Sequence, residues 1–87
     1  MIRCEILFRG RVQGVGFRYT ARDFAEELGI VGWVKNLPDG SVQMMAEGED
    51  LAVENLIKKL EAYFPVRDKT VIRSQARGDF FDFEIAH

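Results

Sequence analysis

The sequence is poor in the residues that most often carry enzyme chemistry: one cysteine and one histidine in 87 residues. A lone cysteine cannot close an internal disulfide, so a reducing, cytoplasmic setting is expected. The lone histidine is His87, the last residue. Any Ser-His-Asp or Cys-His arrangement would depend on a chain end, where order is usually weakest. No cluster of His, Cys, Asp and Glu has metal-ligand spacing, so neither metal nor cofactor is expected. Long apolar runs are missing as well. The uncharged stretches 28–34 and 40–46 are far too short to span a bilayer, and no signal peptide is visible around Arg3 and Glu5. Basic excess is also absent. A formal charge of −2 and a pI near 5.3 disfavour broad binding to nucleic acid.

What remains is an ordinary soluble composition, 47% hydrophobic and 30% charged, enough for one small core. One domain spanning 1–87 is expected. Ile2, Cys4, Ile6 and Phe8 alternate with more polar neighbours, the pattern of a half-buried strand. Cys4 falls on its apolar face and reads as core filler, since a nucleophilic thiol needs an exposed, electropositive site. Phe17, Ala21, Phe24, Ala25 and Leu28 recur at helical spacing, and Gly29 is a natural stop. Residues 30–36 and 41–47 read as strands of a hairpin around Leu37-Pro38-Asp39-Gly40. A second helix is predicted from Asp50, its cap, with Val53, Leu56, Ile57, Leu60 and Phe64 as its stripe and a Glu54–Lys58 surface pair. Pro65 ends it. A short strand over 70–76 follows, and Phe81, Phe83 and Ile85 alternate in a last one.

The order βαββαβ with an added C-terminal strand predicts an α+β, ferredoxin-like sandwich, with a mixed sheet and two helices on one face. In that plan strands one and two run parallel with strand three between them. The loop after strand one and Asn36 at the end of strand two then share one edge, roughly 10 Å apart.

That loop is Gly10-Arg11-Val12-Gln13-Gly14-Val15-Gly16-Phe17-Arg18. Its glycines permit a tight turn with N–H groups facing one concavity, and the following helix adds its positive end. Arg18 supplies a forked cation, and Arg9, Arg11 and Arg18 are candidates for a local cationic pocket. Such a loop suits phosphate, although a plain turn has the same glycine content. The dinucleotide fingerprint lacks its last glycine and acidic partner, and no Gly-Lys-Ser/Thr completes a Walker loop. An RNA-recognition signature fails at Val15 and Arg18.

Gly10–Arg18, then Gly32-Trp33-Val34-Lys35-Asn36, then Asp39-Gly40-Ser41-Val42 together resemble the acylphosphatase family. The resemblance covers nearly the whole chain. It implies hydrolysis of acyl phosphates, which are carboxyl-phosphate mixed anhydrides, to carboxylate and phosphate. Arg18 and the backbone N–H groups of Gln13, Gly14, Val15, Gly16 and Phe17 would hold the phosphoryl group. Asn36, by itself a turn residue, would position the attacking water. The proton would go to the substrate. The implied partners are a small acyl phosphate and inorganic phosphate as product or competing ligand. A monomer is expected, with no nucleic acid or membrane partner. The connection Tyr63-Phe64-Pro65-Val66-Arg67-Asp68 departs from the Gly-Pro pair of many members.

Two rival readings use the same residues. A non-catalytic anion or phosphopeptide binder would need Arg18 but not Asn36. A ferredoxin-like RNA-binding or regulatory module would need exposed aromatics on the free sheet face. Arg3, Glu5, Gln43, Glu47, Asp82 and Glu84 are expected there instead.

Overall fold

The computed structural model describes residues 1–87. β1 (Ile2–Gly10) passes through the glycine loop into α1 (Phe17–Glu27). β2 (Val31–Asn36) and β3 (Val42–Gly48) form the hairpin, and α2 (Asp50–Tyr63) leads to β4 (Val66–Gln75) and β5 (Phe83–Ile85). The sheet order is β4-β1-β3-β2-β5. β3 is antiparallel to β1 and β2, β4 is antiparallel to β1, and β5 is parallel to β2. The inward residues of β1, β2 and β3 share one buried cluster with the stripes of both helices. The predicted sandwich therefore forms, and β1 and β2 end at the same edge.

Several local expectations change. β4 begins at Val66, four residues before the predicted Thr70. The helix stops at Tyr63, with the Phe64 N–H still bonded to the Leu60 carbonyl at 3.0 Å. Pro65 then sends its carbonyl to the N–H of Arg11 at 3.2 Å. Pairing with β1 thus starts directly after the proline. Asp50 does not cap α2. Glu49 holds that position without a side-chain bond, and Asp50 reaches Arg73 on β4 instead. Lys58 gives way to Lys59 and Glu61, which pair with Glu27 and Lys69 on neighbouring elements. Phe81 is 95% exposed and stands outside β5, which covers only 83–85. Cys4 is buried as expected, and burial pushes its thiol up, away from the reactive thiolate.

The face away from the helices is less polar and less open than its residue types suggest. Leu7 lies opposite Gln43, and Met45 lies between Glu5 and Trp33 across the strands. Arg3 and Glu47 are buried, because the segment after β4 crosses over them. Glu47 accepts the backbone N–H groups of Arg77 and Gly78, each at 3.1 Å, and the Arg3 guanidinium. Arg3 also bonds Asp79, and its guanidinium lies 4.8 Å from the Phe80 ring centroid. This network pins the strap that carries the chain to β5.

Burial alone would push Glu47 up, but the two N–H donors and Arg3 outweigh it and hold the carboxyl below its ordinary value of 4.5. A lowered folded value means the unfolded chain binds the proton more readily. The stabilisation is therefore present above about pH 4.5 and is lost as pH falls through the lowered folded value. Glu47→Ala is expected to cost about 3 kcal/mol, the low end for breaking a buried pair, because Arg3 keeps Asp79. Urea unfolding at pH 7 measures this loss. Glu47→Gln should flatten the acid limb of the stability curve. An unchanged acid limb would remove Glu47 from that role.

Candidate active site

Phe17 opens α1 and is 2% exposed. Its ring sits 5.0 Å from that of Phe8 and 4.8 Å from that of Phe64. That aromatic anchor fixes where the helix begins, and hence where Arg18 leaves it. Gly16, with φ +82°, and Gly14, with φ +74°, take the left-handed turn that brings the chain into the helix. A side chain at either would meet open space, so the demand there is on backbone angle, not room.

The loop is rich in unused donors. No backbone carbonyl accepts the N–H groups of Val12 through Gly16. Phe17, Arg18 and Tyr19 carry the first-turn N–H groups for which a helix has no internal acceptor. Helix starts commonly fill that role with a capping or acidic side chain. α1 has no side-chain cap and no acidic residue in its first turn. The positive end of the helix is left for something else.

A cavity of about 110 Å³ lies over these donors. Val12 and Phe17 form its floor, Gly14 and Gly16 its loop side, and Arg18, Tyr19 and Asn36 the rest of its wall. Asn36 shares a face of β2 with buried Val34, so it points to the helix side, as the loop does. Gln13 and Val15 do not line the cavity. Gln13 donates its side-chain amide to the carbonyls of Leu37 and Ser41 at 2.7 and 2.8 Å, bracing the loop against the hairpin turn. Asp39 shapes that turn, accepting the Ser41 N–H at 2.9 Å and its hydroxyl at 2.6 Å. The Ser41 hydroxyl and N–H hold the Asp39 carboxyl below its ordinary range.

The three arginines do not gather. Arg9 lies on the other sheet face, bonded to Asp68 and Thr70 at 2.7 Å each. It lines a separate cleft with Arg67. Arg11 is exposed and lines neither. Arg18 alone serves the cavity. Its neighbour is a residue set aside as a chain end: His87 Nδ1 lies 3.4 Å from Arg18 Nη1. Parallel pairing of β5 with β2 explains this. It sends the C-terminus toward the same edge as Asn36, with the Ala86 N–H bonded to the Val34 carbonyl at 2.8 Å. A three-residue strand beside an unknown partner gave no sign of that direction.

The site is thus a donor-rich loop and a small cavity at the ends of two parallel strands of a ferredoxin-like sandwich. The acylphosphatase family pattern matches residues 4–85. An acylphosphatase of Acaryochloris marina is 44% identical, with 98% of this chain and 94% of the relative covered. One from Archaeoglobus fulgidus is 43% identical over the whole of both chains. The crystal structure of acylphosphatase from Bacillus subtilis superposes with a TM-score of 0.94 at 34% identity, again covering both chains fully. The chain belongs to the acylphosphatase family, whose reaction is the hydrolysis of acyl phosphates.

Proposed function

We propose that hydrolysis runs on Arg18, Asn36 and the loop N–H groups alone. The observation that carries this reading is that Arg18 and Asn36 line one cavity together with Gly14, Gly16 and Phe17 of the loop. The phosphoryl oxygens of the acyl phosphate bind the N–H groups of the loop, Gln13 through Phe17, and the Arg18 guanidinium. These donors offset charge where it concentrates during transfer. Asn36 offers both a donor and an acceptor without changing charge, and so holds a water in line with the scissile bond. The water oxygen attacks phosphorus. The bond from phosphorus to the acyl oxygen breaks, and the carboxylate leaves with the electron pair. The water proton passes to a phosphoryl oxygen, so no side-chain base is required. An acyl phosphate is already activated, and holding it in place does most of the work.

In this reading residues 1–87 act as one domain and as a monomer in the cytoplasm. Inorganic phosphate is both product and competing ligand, and no cofactor, metal, nucleic acid or membrane takes part. No three His, Cys, Asp or Glu side chains converge as a metal site, and no helix is long and apolar enough to cross a membrane. The test is an acyl-phosphate hydrolysis assay in chelator. Turnover is expected to persist there. Deletion of His87 should leave it within about fivefold of the full chain, the scale of an exposed contact to a charge. Loss of turnover in chelator, or its abolition without His87, would replace the water-positioning scheme with a metal or imidazole one.

A further inference from the structure

We propose that Tyr19 sets the preference for the acyl group, its ring packing against an aromatic or broad apolar acyl substituent. This rests on the reading that Arg18 and the loop hold the phosphoryl group. A substrate held that way projects its acyl group through the cavity mouth. Few lining residues can meet it there. Gly14 and Gly16 have no side chain, and Val12 and Phe17 are 0% and 2% exposed. Arg18 and Asn36 are engaged with phosphate and water. Tyr19 remains, and it is 55% exposed.

Tyr19 stands in the first turn of α1. Helical side chains lean toward the N-terminus, and the N-terminal turn of α1 is the part of the helix that lines the cavity. The ring is also restrained. One turn on, the Arg22 guanidinium lies 5.4 Å from its centroid, a cation–π contact. A ring held from one side is a prepared platform, because little freedom is lost when a second planar group packs on it. Aromatic pairs gain from offset stacking beyond their burial. A methyl group on the acyl carbon is too small to reach such a platform and gains little.

The experiment compares benzoyl phosphate with acetyl phosphate. The unaltered chain is expected to favour benzoyl phosphate in kcat/KM. Tyr19→Ala should lower kcat/KM for benzoyl phosphate about threefold to tenfold, and for acetyl phosphate less than about twofold. Tyr19→Phe should keep the preference, since the ring and not the hydroxyl carries it. Inhibition by inorganic phosphate should be the same in all three proteins, which a collapsed cavity would not allow. Equal losses on both substrates, no loss on either, or loss of preference in Tyr19→Phe would overturn the role of Tyr19 while leaving hydrolysis on Arg18 intact. No turnover of either compound by the unaltered chain would overturn the functional reading and this inference with it.

Discussion

Arg18→Ala is expected to lose about a hundredfold to ten-thousandfold in turnover while remaining folded. Arg18 is half-buried at the cavity wall and is the one arginine there. Its guanidinium has no carboxylate partner, unlike those of Arg3, Arg9, Arg22, Arg67 and Arg73. Alanine therefore leaves no buried charge unpaired, and stability should change little. Activity should change greatly. Charge-assisted hydrogen bonds contribute about 1.5–3 kcal/mol each, and a forked guanidinium supplies two to a phosphoryl group. Arg18→Lys keeps the charge but loses the planar fork, so it should recover only part of the rate. Circular dichroism checks the fold and steady-state kinetics the loss. Near-normal turnover in a folded Arg18→Ala protein would remove Arg18 from the site.

Asn36→Ala separates an enzyme from a phosphate binder built on the same cradle. Inhibition by inorganic phosphate should stay close to normal, because the loop and Arg18 are untouched. Turnover should fall about a hundredfold or more, the scale of losing one group that orients a reactant in the transition state. Asn36 ends β2 opposite Val42, at the last paired position of the hairpin, so its side chain is dispensable for the sheet. Equal loss of phosphate binding and turnover would make Asn36 a ligand contact instead. Unaltered turnover would leave the cavity without a residue to place the water.

Much of the fold was legible because each element carries its own period. Ile2, Cys4, Ile6 and Phe8 alternate, and Phe17, Ala21 and Ala25 recur at helical spacing; all are buried as that pattern requires. Pattern fails where burial comes from elsewhere. Residues 66–69 read as loop because three of the four are charged and exposed, yet they pair with β1. An edge strand needs only backbone partners, and charges on it hinder pairing with other chains. Arg3 and Glu47 read as solvent-facing because their neighbours in sequence are core residues. They are buried by a segment some thirty residues beyond Glu47.

The candidate site divides in the same way. The donor-rich loop is legible in the residues alone: glycines at Gly14 and Gly16, no acidic residue where α1 starts, and a forked cation at Arg18. Those are local properties, set by backbone angles and by which side chains are absent. Packing of the strands is what sets Asn36 facing that loop, braces the loop to the hairpin turn through Gln13, turns Arg9 to the other face and brings His87 beside Arg18. Each of these depends on strand order and direction. β3 between β1 and β2 makes the two parallel, and β5 parallel to β2 brings the chain end to the same edge. Side-chain period reports which face of a strand is buried, but not which strand lies beside it.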